Sequence, residues 1–438
     1  MSRKTLSAET VAIVKATAPV LAEHGATIIR HFYRHLHHDH PELELLFNPA
    51  NQGTDEGKTR GSQQEAFRGD FFGQEGARGA ALTNVLNGSM TSLDDLPAVK
   101  ATVMRIAHRH ASLDVRPEHY PIIGQYFLAS VKAVLGDVAT DEIMAAWREA
   151  YDVLADLFIE VERDLMQKNA HTSGGWEGFR PFVVRQKVKE SADAVSVYLS
   201  PKDGGPLPHY EAGQYVTFRI DVPGYARRGG STVYRNYSLS TAPGKGYFRV
   251  TIKHEPGAKG HPDGVVSGFF HEQLREGDVL DISTPFGEFA LVDSPRPLVF
   301  IGAGIGITAV FSLFQSALER GIDRPIHFFQ MMRDGRHHPL RREIEALAQR
   351  HPNVTLHRCY SQPSAEDEPG RDYETRGRLG LGTLARNLPG SDCEFYFTGP
   401  IPFMRSIRGA LHLFGVAADR VHYECYGPHG PEIEADVR

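Results

Sequence analysis

The sequence predicts three units in series: an all-α unit, an antiparallel β-barrel and a doubly wound parallel α/β unit. Length is the first reason: 438 residues at roughly 150 per domain is material for about three cores. The second is texture, which passes from apolar residues at helical spacing to short β-branched and aromatic runs, and then to strands alternating with helices. The third is a run of small and polar residues, Asn169-Ala-His-Thr-Ser-Gly-Gly-Trp176, which reads as a linker after the first change.

From Ser7 to about Met166, residues such as Val11, Val14, Ile28, Ile29 and Phe32 recur at three- and four-residue spacing, so helices are expected. From Phe182 to about Leu291, the runs Val183-Val184, Val195-Ser-Val-Tyr198, Tyr215-Val-Thr-Phe218 and Tyr247-Phe-Arg-Val-Thr-Ile252 stand between Gly/Pro turns, the pattern of an antiparallel barrel. From Pro297, strands at Leu298 to Gly302, Ile326 to Met331, Val354 to Cys359 and Glu394 to Thr398 alternate with helices, which predicts a parallel sheet. Pro363 to Tyr373 reads as a polar loop. The expected units are residues 1–168, 177–292 and 295–438.

Charged residues at 23% and apolar ones at 41% are ordinary for a globular chain and argue against disorder. Lys+Arg 48 against Asp+Glu 54 leaves −6, so nucleic acid is not the expected partner. Cys359, Cys393 and Cys425 lie late and form no Cys-x-x-Cys pair, so neither a disulfide framework nor a zinc cluster is expected. Met1 to Lys15 lacks the apolar core of a secretion signal, and no stretch approaches the ~18 apolar residues of a membrane span. A cytoplasmic protein is expected. The histidines His31, His35, His37, His38 and His40 crowd one charged stretch and read as solvated surface.

The stretch Arg105-Ile-Ala-His-Arg-His110 puts a histidine ten residues before Tyr120. A histidine near a helix end can ligate heme iron through Nε2 while Nδ1–H donates to a neighbour, although a lone helical histidine is usually just satisfied or solvated. Around it stand Val14-Lys-Ala-Thr-Ala-Pro-Val, His31-Phe-Tyr33, Pro41-Glu-Leu, Leu46-Phe47-Asn48, Pro117-Glu-His-Tyr120 and Ala146-Trp147 with Ala150-Tyr151. The block from Met1 to about Gln167 resembles the globin domain of flavohemoglobins. That resemblance implies His110 as the proximal ligand of heme b and Phe47 as the aromatic wedged on the porphyrin. It also implies Tyr33 as a distal hydrogen-bond donor, and Tyr120 with Glu162 as the pair contacting the ligand histidine. Glu162 is preferred to Asp164 by its spacing from Trp147. Between Asn51 and Ala80 the chain departs from the family: one register puts Leu82 over the heme and Arg78 at the usual distal glutamine. The other, through Gly61-Ser-Gln-Gln-Glu-Ala, offers Gln63 or Gln64. Both registers stay open.

In the middle unit, Arg235-Asn236-Tyr237-Ser238 is preceded by Ala212-Gly-Gln-Tyr215 and followed by Asp263-Gly264-Val265-Val266-Ser267. These strings resemble the FAD-binding motifs of ferredoxin-reductase-like flavoproteins. The resemblance implies that Tyr237 stacks on the isoalloxazine, Arg235 pairs with the pyrophosphate and Ser238 lies by the flavin's reactive edge, with Gly264 to Ser267 at the phosphates. Next, Val299-Phe-Ile-Gly302-Ala-Gly304-Ile305-Gly306-Ile307-Thr308 runs a strand into a glycine-rich turn and helix, suited to a pyrophosphate and similar to the NAD(P)H-binding turn of the same reductases, with Ala309 in place of proline. Thr398-Gly399-Pro400 stands where the family has Cys-Gly-Pro. The end, His422-Tyr-Glu-Cys425-Tyr426-Gly427-Pro428-His429, is similar to the flavohemoglobin end, with Tyr426 in place of phenylalanine. An aromatic there would cover the flavin until the nicotinamide displaces it, and Cys425 reads as a packing residue near the cofactor. Arg333 and Arg336 follow the second strand of the α/β unit and suit either a 2′-phosphate or plain solvation, so NADH and NADPH both stay open.

A flavin converts a two-electron hydride into single electrons, which a heme iron requires. The resemblance implies a monomeric enzyme taking NO and O2 to nitrate with electrons from NAD(P)H through FAD. Two other readings stand beside it: an NAD(P)H-dependent flavin or ferric reductase, and an oxygen-sensing or oxygen-binding globin with attached reductase.

Overall fold

The computed structural model describes residues 6–47, 96–222, 232–257 and 264–426. Helices come first: α1 (Ala8–Glu23), α2 (Gly25–Asp39), α3 (Pro41–Phe47), α4 (Leu96–Ser112), α5 (His119–Leu135) and α6 (Asp141–His171). Ser7 Oγ accepts from Thr10 N at 3.0 Å and Thr140 Oγ1 from Ile143 N at 3.3 Å, each satisfying an otherwise orphaned amide at a helix start. Val14, Ile28, Phe32, Val103, Phe127, Trp147 and Leu154 share one buried cluster, and the Trp147 indole keeps its polar group paired by donating to Thr17 Oγ1 at 2.8 Å. α5 crosses α6 at Gly124, where a Cβ would overlap the Tyr151 ring.

The middle sheet holds β1 (Phe179–Lys189), β2 (Ala194–Pro201), β3 (Tyr215–Asp221), β4 (Thr232–Ser238), β5 (Phe248–Lys253) and β6 (Val279–Ser283) in the order β4-β3-β6-β1-β2-β5, antiparallel at every pairing. A bridge from Leu239 to Val250 joins the two ends, so the sheet closes as a barrel around Phe182, Val197, Phe218, Phe248 and Ile282. A short helix, α7 (Val265–Gly268), follows β5.

The last sheet is parallel throughout, in the order β10-β9-β8-β7-β11-β12. Its strands are β7 (Leu298–Ala303), β8 (Ile326–Met332), β9 (Val354–Tyr360), β10 (Thr375–Arg376), β11 (Glu394–Thr398) and β12 (Val421–Tyr423), with helices α8 (Ile307–Glu319), α9 (Arg341–Arg350), α10 (Leu381–Asn387) and α11 (Ile401–Leu413) between them. β7 is buried at every position, because helices cover both faces of such a sheet, and this is why it reads as an unbroken apolar run.

Two expectations need correction. α6 runs through Asn169 to His171, into the segment read as linker, because the Asn169 side chain bonds to Pro285 O at 2.9 Å and holds the last turn against the barrel. Pro363 to Tyr373 is a loop of turns with one isolated bridge, Pro369 to Tyr373, before β10 pairs with β9. The α2 histidine group is also not all solvated surface. His37 packs 5.2 Å from the Tyr33 ring with Nε2 buried, and burial holds its pKa down to about 4.

Candidate active site

His110 sits in the last turn of α4, and the chain then reverses through Asp114, a non-glycine residue at φ 61°, with Val115 N closing onto His110 O at 3.0 Å. The reversal brings α5 back alongside, carrying Tyr120, while α6 brings Glu162 from the other side. His110 Nδ1 lies 2.8 Å from Glu162 Oε1, and the Tyr120 hydroxyl donates to the same oxygen at 2.6 Å. Glu162 is 3% exposed and Tyr120 7%. Burial, and then the Glu162 charge, pushes the Tyr120 phenol far above its usual range, so it stays a neutral donor. Phe158 packs 5.6 Å from the imidazole and 6.3 Å from the Tyr120 ring, and Tyr151 donates to Tyr120 O at 2.7 Å from behind. With Nδ1–H committed to a carboxylate, Nε2 is the basic nitrogen, the donor set that an iron ligand requires. Asp164 instead lies at the surface beside Arg163.

Tyr33 is half-buried on α2, its ring 4.9 Å from Phe32 and 5.2 Å from His37. Phe47 ends α3, but its side chain, like Leu82, Arg78, Gln63 and Gln64, lies outside the described residues. Gly427 and Pro428 lie outside them too.

On the barrel, β4 pairs with β3 so that Tyr215 faces Ser238 and Thr217 faces Asn236, whose Oδ1 accepts from Thr217 Oγ1 at 2.8 Å. Tyr237 is half-buried, edge-on to Phe218 at 5.7 Å and Phe270 at 5.4 Å. Arg235 Nη1 donates to Tyr234 O at 2.7 Å. Gly264 precedes α7, and Ser267 Oγ donates back to Gly264 O at 3.1 Å while accepting from Glu255 N at 3.2 Å; Val265 is half-buried and Val266 buried beside them. Ser238 Oγ lies 3.2 Å from the Tyr426 hydroxyl. Burial, then the Glu424 charge, pushes the Tyr426 phenol up to about 12.

In the α/β unit, Gly304 at φ 53° turns the chain from β7 toward α8, and a Cβ there would meet nothing within 4 Å, so the turn stands open to a ligand. Gly306 packs on Gly399, where a Cβ would come 2.7 Å from a backbone nitrogen. Thr308 Oγ1 donates to Ile305 O at 3.0 Å, Thr398 Oγ1 donates to Gly306 O, and Ile307 is fully buried. Cys425 is buried with its Sγ 3.9 Å from Met404 Sδ, a packing position.

The units meet at the end of α4. Ala111, Tyr215 and Phe286 form a buried cluster backed by Leu165 and Met166. Gly287 N donates to His108 Nδ1 at 3.1 Å, and Arg109 Nη2 donates to Cys425 O at 3.1 Å. Glu424 Oε2 is buried with no hydrogen-bond partner among the described residues, and burial pushes this carboxyl up to about 7. An unpartnered buried acceptor next to Tyr426 is what a cleft shaped for a further polar group leaves behind. Sequence reasoning missed Arg109 and Glu424. Only their adjacency to His110 and Cys425 marked them.

The family models for Globin, Oxidoreductase FAD-binding domain and Oxidoreductase NAD-binding domain match residues 30–158, 181–291 and 300–409. A flavohemoprotein of Halalkalibacterium halodurans is 40% identical over 431 residues, 98% of this chain and 99% of the relative. The chain belongs to the flavohemoproteins. A second relative, the flavohemoprotein of Bordetella pertussis, is 41% identical over 427 residues, 97% of this chain and 99% of its own. The crystal structure of flavohemoglobin from Malassezia yamatoensis with bound FAD and heme has the same fold, with a TM-score of 0.78 over 97% of this chain and 100% of that one, at 24% identity. The FAD/NAD-binding domain of nitric oxide dioxygenase from Vibrio cholerae is 30% identical, with a TM-score of 0.51 over 57% of this chain and 99% of that one. This flavohemoprotein thus carries a globin and a flavin reductase on one chain, and no helix among its described residues is long and apolar enough to cross a membrane.

Proposed function

We propose that this flavohemoprotein is a nitric oxide dioxygenase. Two NO and two O2 become two nitrate at the expense of one NAD(P)H, with release of NAD(P)+ and a proton. The observation that carries the reading is the His110–Glu162–Tyr120 cluster at the end of α4, where the next residue, Ala111, packs against Tyr215 and Phe286 of the flavin-type barrel unit. When bound, the nicotinamide supplies hydride, FAD divides it into single electrons and heme b passes them to O2 for reaction with NO.

The chain's own residues do the rest. Glu162 Oε1 accepts from His110 Nδ1, which makes the opposite nitrogen more electron-donating. Tyr120 fixes the carboxylate rotamer through its own short bond. Tyr33, on α2, supplies a hydroxyl to donate where negative charge grows on the oxygen substrate, and Phe47 and Leu82 complete the heme contacts in this reading. On the reductase side, Tyr215, Arg235, Asn236, Tyr237 and Ser238, with Gly264 to Ser267, hold FAD. The turn from Gly304 to Thr308 takes the nicotinamide pyrophosphate on open backbone and a helix start. Tyr426 covers the flavin until the nicotinamide enters, Cys425 packs near the cofactor, and Gly427 and Pro428 are read from the sequence as cofactor-binding residues. The units are read as residues 1–168, 177–292 and 295–438 of a cytoplasmic monomer.

His110→Ala tests the assignment. The variant is expected to purify without heme while retaining FAD and NAD(P)H-driven reduction of an artificial acceptor such as ferricyanide. Stoichiometric heme in the variant would overturn the ligand assignment.

A further inference from the structure

In a doubly wound sheet the dinucleotide crosses the carboxyl ends of the strands, with its pyrophosphate on the glycine-rich turn and its adenosine ribose by the end of the adjacent strand. Here the turn follows β7 and the adjacent strand is β8, so the ribose 2′ position falls against the segment from Arg333 to His337. An acid at that place accepts the ribose diol of NADH, whereas an arginine pairs with the added phosphate of NADPH. Both kinds are present.

Their geometry separates them. Asp334 is 8% exposed, and its Oδ1 accepts from His337 N at 3.0 Å and from His337 Nδ1 at 2.6 Å, while Oδ2 takes Arg333 Nε at 3.3 Å. That carboxylate is committed inside its own loop. With Nδ1 donating, His337 Nε2 accepts from Arg333 Nη2, so the Arg333 guanidinium is oriented from two sides while its side chain stays 52% exposed. The Arg336 guanidinium is 63% exposed and pairs with Glu366, 2.8 Å away and itself 71% exposed, while the Asp334 and Asp367 charges act on it more weakly. Such a solvated pair holds little free energy, and a phosphate dianion is the better partner for a guanidinium fork.

The loop beneath is fixed before any ligand arrives. Its next residue, His338, bonds to the Tyr360 hydroxyl at 2.9 Å and to Gln330 Oε1 at 2.6 Å. Gly335 N donates to Asp367 at 3.2 Å, and Ala192 N, from the barrel, donates to Arg336 O at 2.8 Å. Little ordering is left for binding to impose.

We propose that Arg333 and Arg336 form a 2′-phosphate site that makes NADPH the preferred reductant. This rests on the nicotinamide reading of the Gly304 turn given above. The test is calorimetric titration of the full-length protein with adenosine 2′,5′-bisphosphate and, separately, with AMP. The bisphosphate is expected to bind about tenfold more tightly, an advantage that shrinks with added salt and below about pH 6, where the 2′-phosphate takes up a proton. Arg333→Gln and Arg336→Glu should each reduce that advantage. Equal affinity for the two nucleotides would overturn the phosphate site while leaving the nicotinamide site standing. Binding of neither would overturn both.

Discussion

Glu162 is the residue through which His110, the proposed proximal ligand, acquires its character, because the buried carboxylate accepts from both the imidazole and the Tyr120 phenol. Glu162→Gln keeps the shape and removes the charge. It is expected to raise the iron reduction potential in spectroelectrochemistry and to lower NO turnover about tenfold or more, the usual scale for losing a partner of a metal-ligating histidine. An unchanged potential would leave the carboxylate a merely structural role. A second residue-scale expectation concerns His338, whose pKa burial, then Arg341 and Arg358, lowers to about 3 from 6.5. The folded state holds it neutral, so its contribution is fully present above pH 6.5 and is lost as pH falls toward 3. His338→Gln should therefore flatten the pH dependence of the urea midpoint over that window, and an undiminished slope would remove His338 as its source. At this scale the sequence was legible where a motif names a side chain, as with His110, Tyr120 and Glu162. It was silent on Glu424 and Arg109, whose surroundings come from segments far apart in the chain, Arg109 meeting Cys425 at a separation of 316 residues.

Among the elements, packing at crossings matters more than intrinsic propensity. α5 lies so close to α6 that Gly124 touches the Tyr151 ring, and Tyr151 in turn supports the Tyr120 backbone. Gly124→Ala should cost about 1–3 kcal/mol in chemical denaturation, as overpacking generally does, despite alanine's better helix propensity. A stabilised variant would contradict the crossing geometry. The buried strands and the glycine-rich turn were readable because burial on both faces and positive φ restrict residue choice. The short strands β10 and β12 were not, since two or three residues carry no period and pair only because a neighbouring edge is there. The overrun of α6 past Gln167 had the same cause: a composition suited to a linker was overridden by the Asn169 bonds to the barrel.

For the whole molecule, the decisive feature is that α4 ends against both halves of the reductase. Ala111 touches Tyr215 and Phe286, and Arg109 reaches the carbonyl beside Tyr426. Removing that tie with Arg109→Ala should slow flavin-to-iron electron transfer in stopped-flow spectroscopy while leaving reduction of the flavin by NAD(P)H unchanged; an unaltered second phase would show that the tie does not position the two units. None of this docking could be read from the sequence, because nothing in Ala111, Phe286 or Arg109 marks a surface that another unit covers, and Tyr215 is marked only for the flavin. The central claim, that electrons entering at the glycine-rich turn leave through His110's iron to make nitrate, is tested most directly by the yield of nitrate per NAD(P)H consumed while NO is supplied in air. Two nitrate are expected per NAD(P)H. NAD(P)H consumption indifferent to NO, with peroxide rather than nitrate as the product, would contradict the claim.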